Sequence, residues 1–409
     1  MKNLICISIA VFISFAAAAE RRIAPTVPRE QKRAKIIAEY VICKQPQRYI
    51  GWPSIALAPN GDLLVVFSGD RDWHVCPWGK TYLVRKPAGQ SRFAEPVVIS
   101  NTPLDDRGCG LVKLNDGTML LTFLTSLAFD NEKIERYKPY REHCGKLTAE
   151  VREKWAGQWM RRSSDNGVTW GDYIKGPEAN SPHGPTVLAD SSLMYVRPDV
   201  CLSADGGGTW QTISKIERDP ATWNSRYAFL SEQHAVEVKK DHIIALSRYR
   251  GKTDNDVRLR QIDSFDGGKS WSQPTPTQMQ GYPPHLLKLR NGWLLAVYGR
   301  RIAPMGERGC ISTDDGKTWE TDNEIVLSNA VPQGSGDLGY PASEQVPDGT
   351  IWTVYYQVEK EKDGEYPCLM ATHWQLKDEV DTAVKPAVEV DQETKGGSEV
   401  KIESGNLVF

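Results

Sequence analysis

The chain has 409 residues, a formal net charge of −2, and 40% hydrophobic against 25% charged residues. That balance gives no basic footprint for nucleic acid and describes a globular, water-facing protein rather than a membrane-embedded one. The length exceeds one ordinary compact core, which leaves two domains or a closed repeat architecture.

The first segment differs from the rest. Met1-Lys2 precedes an apolar run from Leu4 to Phe15, followed by Ala16 to Ala19. A basic start, a short apolar stretch and small residues predict a secretory signal peptide over 1–19, too short for a transmembrane span. No second apolar run of spanning length follows, so an exported protein, periplasmic or released, is expected. Beyond Cys6, seven cysteines remain, an odd number with no Cys-x-x-Cys pair. A zinc ribbon is therefore not expected, nor is any metal or cofactor. Export permits disulfides, but at least one thiol must stay unpaired within the chain.

From residue 35 onward the pattern is that of short strands. Lys35 to Cys43 is a β-rich run standing ahead of the repeats. Six apolar hairpins then begin at Pro53, Gly110, Pro185, His234, His285 and Ala342, at intervals of roughly 50 residues. Their turns are Asn60-Gly61, Asn115-Asp116-Gly117, Asp190-Ser191, Lys240-Asp241, Asn291-Gly292 and Asp348-Gly349, which suit tight β-hairpins. After hairpins two to five comes a second repeat, Ser-x-Asp-x-Gly-x-Thr/Ser-Trp, ending at Trp170, Trp210, Trp271 and Trp319. Asp caps its own turn, Gly supplies a positive φ, and Trp packs back onto the sheet. A degraded copy spans Pro87 to Phe93. The prediction is all-β: a six-bladed propeller over 20–377 with four antiparallel strands per blade. The Lys35–Cys43 run would supply the outer strand of blade six and remove the free sheet edges. Residues 127–160 exceed a blade loop and carry a helical stretch from Leu147 to Trp159. The tail, 378–409, is charged and repetitive.

These repeats resemble the sialidase (neuraminidase) superfamily over roughly residues 40–375, and the resemblance implies where a site would lie. Members carry a Glu-x-x-Val-Val-Glu stretch opening blade four, with an Arg sixteen residues after its first Glu; here Glu232 to Glu237 is followed by Arg248. They also carry a Tyr nine residues before the hairpin Gly of blade six, and Tyr340 stands at that spacing from Gly349. The resemblance implies Tyr340 as nucleophile, Glu232 as its base and Arg248 as a carboxylate ligand. A phenol is used because a carboxylate nucleophile would be repelled by an anionic sugar. Arg71 fits the Arg that follows the first hairpin, and the acid is either Asp72, by residue type, or His74, by position. Where the superfamily has Arg-Ile-Pro, this chain has Gly51-Trp52-Pro53, so one carboxylate-binding Arg is missing. The Arg preceding the fourth box is among Arg300, Arg301 and Arg308.

A second constellation competes. His74, His183, His234 and His285 all stand where strands open, and in a propeller such positions converge on the central axis. Such a group would serve as acid/base catalysts or metal ligands, and His234 or His183, with Tyr340 and Arg248, would also suit a lyase abstracting a proton beside a uronate carboxylate. Asp105-Asp106-Arg107 would contact sugar hydroxyls in either scheme, and Trp52, Trp73 and Trp78 would stack on sugar faces. The readings that follow are an exo-glycosidase acting on a terminal acidic sugar of a glycan, a polysaccharide lyase, or a non-catalytic carbohydrate-binding propeller. Oligomeric state is not legible.

Overall fold

A computed structural model describes residues 29–377 apart from 179–180, 218–230, 250–256, 330–335 and 362–363. The expected signal peptide and tail lie outside the described residues. Six sheets form a six-bladed propeller; five have four antiparallel strands, and the sixth carries one short extra strand, Arg29–Glu30, at its outer edge. The innermost strand of each blade packs against those of its neighbours, and Gly339–Gln345 of blade six meets Tyr49–Leu57 of blade one to close the ring.

Closure follows the sequence expectation. Ala34–Cys43 pairs antiparallel with Gly364–Leu376, the last strand of blade six, so one blade is built from both parts of the chain. The apolar clusters lie between sheets rather than within them. Leu64 and Val66 of blade one meet Leu111 and Leu121 of blade two, and Trp374 of blade six meets Leu295 and Val297 of blade five. Each blade thus buries both faces, which is why its central strands read as continuous apolar runs rather than alternating ones.

The turns explain the repeats. All six expected hairpins bend through positive φ at the anticipated place: Gly61, Gly117, Ser191, Asp241, Gly292 and Gly349. In the four intact boxes the Asp carboxylate takes backbone and hydroxyl hydrogens of its own turn. Asp165 Oδ1, for example, accepts from Thr169 N at 2.9 Å and from Ser163 Oγ at 2.7 Å. Those bonds hold the Asp165 carboxyl well below the usual range. The box glycine is where neighbouring blades touch: at Gly316 (φ +78°), an added Cβ would lie 2.1 Å from Ile244 Cδ1.

The excursion within blade two, between Met119–Ser126 and Gly157–Ser163, differs in detail from expectation. Its helices are Arg141–Lys146 and Ala149–Trp155, and Trp159 belongs instead to the strand Gly157–Ser163. Thr148 caps the second helix by accepting from Val151 N, and the chain turns extended at Ala156. The seven cysteines from Cys43 to Cys368 are all buried free thiols, without a disulfide among the described residues.

Candidate active site

Each innermost strand enters from the mouth of the propeller, and in blades one, two, four and six it does so through a β-bulge. The register slips between Gly51 and Ser54, Arg107 and Gly110, Ser231 and His234, and Gly339 and Ala342. The first residue inside each bulge has positive φ: Trp52 (56°), Gly108 (59°), Glu232 (50°) and Tyr340 (51°). A bulge inserts one residue and re-aims its side chain, and left-handed backbone at a non-glycine residue is a strain that persists only where its surroundings enforce it.

Two of these side chains meet. Tyr340 Oη donates to Glu232 Oε1 in a short hydrogen bond, and Glu232 Oε2 accepts from Arg248 Nη1 at 2.6 Å. Burial, and next the Glu232 carboxylate, push the Tyr340 phenol well above its ordinary pKa, so the proton sits on the phenol oxygen at rest. Burial opposes the Arg248 charge, but Glu232 outweighs it and holds the guanidinium protonated.

Two more arginines face this pair. Arg301 stands 5.2 Å from the Tyr282 ring centre, on which Arg248 also stacks at 4.2 Å. Burial works against its charge, yet Tyr356, Tyr340 and Glu232 raise its pKa above the arginine norm, and its Nε makes no hydrogen bond within the described protein. Arg107 lies 4.9 Å over the Trp52 ring and 3.7 Å from Asp105, and it also interacts electrostatically with Tyr340. Three guanidinium groups from blades two, four and five therefore surround one phenol, a geometry suited to an anionic ligand.

Aromatic rings complete the mouth. Tyr49, Trp52, Tyr340 and Tyr356 form one buried cluster. Tyr49 Oη and Tyr356 Oη donate to the two oxygens of Asp337 at 2.9 and 2.6 Å. His74 meets the edge of Trp52 at 4.9 Å, with Nδ1 3.5 Å from Arg107 Nη2. Burial and then Arg107 lower its pKa to about 4.

The sequence profile of the BNR repeat-like domain matches residues 148–353, half of the chain. The protein belongs to the BNR repeat-like family. No curated protein matches the sequence. Among solved structures it is similar to a protein of unknown function from Dyadobacter fermentans, with 22% identity and a TM-score of 0.67 over 84% of this chain and 99% of that one. It is also similar to a mutant of NanB sialidase from Streptococcus pneumoniae, at 11% identity and TM-score 0.60, covering 86% of this chain and 72% of that one. A Hadza microbial sialidase, Hz136, matches at 13% identity and TM-score 0.56 over 80% of this chain and 65% of that one. The fold is sialidase-like.

Several residues of this BNR repeat-like propeller stand elsewhere than the sequence suggested. Arg71 is fully buried, ion-paired to Asp105 at 2.7 Å and bonded to Ser68 Oγ and to the carbonyls of Trp73, His74 and Asp106; it is no ligand for substrate. Asp105 and Asp106 are also fully buried, Asp106 accepting from Ser100 Oγ and Thr102 Oγ1, so neither reaches a sugar. Arg308 donates to the carbonyls of Pro304, Glu307 and Ser328 in the interior. Arg300 lies 4.0 Å from Glu324, and Arg301 alone of that trio reaches the mouth. Asp72 is exposed and paired with Arg48 at the surface, whereas His74 lies in the aromatic cluster.

The axial histidines do converge, but below the mouth. His183, His234 and His285 are buried with ring centres 4.4 to 5.6 Å apart. His234 Nδ1 accepts from Leu286 N at 3.0 Å and His285 Nδ1 from Ser343 N at 3.4 Å, which marks them as packing groups. Among the described residues, His, Cys, Asp and Glu form no group arranged to hold a metal. Trp52 is 3% exposed and packed between Arg71, Arg107 and His74, so it lines the site as a wall rather than an open stacking face. Sequence reading missed Asp337, Tyr49, Tyr356 and Glu307. Glu307 is buried with neither oxygen hydrogen-bonded among the described residues, and burial raises it to about 8 against the opposing pull of Arg301 and Arg308. The only sequence hint was Asp337 standing three residues before Tyr340.

Proposed function

We propose that this BNR repeat-like protein is a retaining exo-glycosidase that removes a terminal acidic sugar, of the sialic acid kind, from a glycan. The observation that carries the reading is the hydrogen-bonded run Tyr340–Glu232–Arg248 facing Arg301 and Arg107. A substrate carboxylate attached at the anomeric carbon would sit among the guanidinium groups, with the phenol held near that carbon. A neutral phenol avoids the charge repulsion that an attacking carboxylate would meet.

In the first step the Tyr340 oxygen bonds to the anomeric carbon as the bond to the leaving oxygen breaks. Glu232 takes the phenol proton, and His74 is the group best suited to protonate the leaving oxygen. A bound carboxylate would offset the arginine charges that depress His74, raising its pKa toward that task. In the second step water displaces the phenolate, giving its proton to His74, and Glu232 returns the proton to Tyr340. Asp337 holds Tyr49 and Tyr356 in place beside the site.

The test is turnover of an aryl α-sialoside by the purified protein, with NMR of the sugar as it is released. A first-formed α-anomer is the expected result. A first-formed β-anomer would overturn the phenol nucleophile. An unsaturated uronate from acidic polysaccharides, with no sialoside cleavage, would replace this reading by the lyase, and no reaction on either class would leave a binding module.

A further inference from the structure

Sugars on the leaving-group side of a cleaved glycan must lie outside the mouth, and one part of the rim is unlike the rest. Among the described residues the large hydrophobic side chains left exposed include three aromatic rings. One is Phe265, in a box turn, which stacks on His242 at 4.4 Å. The other two are Trp73 (47% exposed) and Trp78 (39%), both on the loop that also carries His74. Exposed indoles grouped beside a candidate site indicate a ligand rather than packing.

The two rings are continuous with the mouth on one side and with the excursion inside blade two on the other. Trp73 lies 6.2 Å from Tyr49, Tyr49 lies 5.6 Å from Trp52, and Trp52 lies 6.4 Å from Tyr340. On the far side Arg136 stands 5.0 Å over Trp73, and Trp78 meets His143 at 4.7 Å and Tyr140 at 6.5 Å. Tyr140 in turn stacks with Tyr137 at 6.3 Å.

This surface is held rigid from below. The buried Arg71 donates to the carbonyls of Trp73 (3.3 Å) and His74 (3.0 Å). Val75 of the same loop packs into a small core with Phe129 and Cys144 of the excursion. Arg152 pins that excursion through the carbonyls of Cys144 (2.7 Å) and Leu147 (3.1 Å) and an ion pair with Asp130. Ordering is therefore complete before a ligand arrives, which lowers the entropy lost on binding. The charges of the excursion nearly cancel, with five Lys or Arg against four Asp or Glu between 130 and 146. Arg136 over Trp73 is offset by neighbouring carboxylates in that near balance, whereas the apolar C–H face of a neutral pyranose suits an indole.

We propose that Trp73 and Trp78, with the 127–156 excursion, form a subsite for neutral pyranose rings on the leaving-group side of the glycan. Its place in catalysis rests on the glycosidase reading, but its binding does not, and the experiment separates the two. A neutral lacto-series tetrasaccharide, which carries no acidic sugar, is titrated against the full protein by calorimetry and tryptophan fluorescence. Saturable binding is expected in the parent and in Tyr340→Phe, weakened about tenfold or more in Trp73→Ala and Trp78→Ala. Unchanged thermal midpoints in the two Trp variants exclude unfolding as the cause. Absence of saturable binding, or equal binding by the Trp variants, overturns the subsite. Saturable binding without cleavage of any sialoside keeps the subsite and removes the glycosidase reading. Where sialosides are cleaved, both Trp variants should lose kcat/KM on a sialylated tetrasaccharide about tenfold while keeping it on an aryl sialoside.

Discussion

The two ends of the propeller both bend their chain through left-handed backbone, and they differ in what the closest-packed of those positions carries. Away from the mouth, the boxes use Gly167, Gly207, Gly268 and Gly316. There the blades touch, and a Cβ would intrude on the neighbouring sheet. At the mouth one bulge bends at Gly108, but the other three use Trp52, Glu232 and Tyr340, each bearing a strain of roughly 1–2 kcal/mol that glycine would relieve. One end takes the conformation for its shape, and the other keeps it because the aimed side chain is what matters. Repetition marks the parts that build the ring, and departures from repetition mark the candidate site.

The largest expected effect falls at the mouth. Tyr340→Phe should lower kcat on an order of 10⁴-fold, as removal of a nucleophile does, while the thermal midpoint stays within a few degrees. Unimpaired turnover would break the contrast between the two ends. Gly316→Ala should do the reverse. With φ at +78° and the new Cβ pressed on Ile244, it should destabilise by about 2–4 kcal/mol in urea unfolding, with kcat/KM unchanged. An activity loss without a stability loss would show that the box end is coupled to the site.

The smallest effect separates the two regions by pH. The axial histidines have native pKa values below the unfolded 6.5, His234 at about 4, with burial as the cause. The unfolded chain then takes up protons that the native one refuses, so their stability contribution is whole above about pH 6.5 and declines toward pH 4, by about 1 kcal/mol per ring near pH 5.5. The box carboxylates are depressed by their turn hydrogen bonds, so theirs holds above about pH 4 and is lost only below it. His183→Leu, which removes a ring with no hydrogen bond at either nitrogen among the described residues, should flatten the decline of thermal midpoint between pH 6.5 and 4 and leave the steeper acid limb untouched. An unaltered slope in the upper window would show that the axis is not its source.

What was legible in the sequence follows the same division. Turns and boxes are local: Asn291-Gly292 or Ser264 to Trp271 carries its conformation in its own residue types, so the blade number and strand order could be read directly. The Tyr340, Glu232 and Arg248 grouping came from the resemblance to sialidases, whose characteristic spacings are counted along the same blades. The arginines were not. Arg71, Arg301 and Arg308 have the same side chain, and only the long-range partners, Asp105 for Arg71 and the Pro304 and Ser328 carbonyls for Arg308, decide which guanidinium groups are occupied inside. Asp337 escaped notice for a related reason, since its phenol donors, Tyr49 and Tyr356, come from two different blades. Of the four histidines grouped on the axis, His183, His234 and His285 meet there while His74 lies apart against Tyr49 and Trp52; burial, which separates a packing group from a catalyst, has no local signature.

The seam at blade six has a consequence for how the protein is made. Tyr340 rides on a strand backed by Ile351–Glu361 and Gly364–Leu376, and the last of these is completed by Ala34–Cys43. A ribosome therefore delivers the partner of that final strand more than three hundred residues before the strand itself. Until then blades one to five have no closed ring to join, and the phenol has no seat opposite Glu232. The mouth must therefore be completed in one late step, after synthesis has passed Leu376, and a chain halted earlier would be a stack of sheets with no mouth.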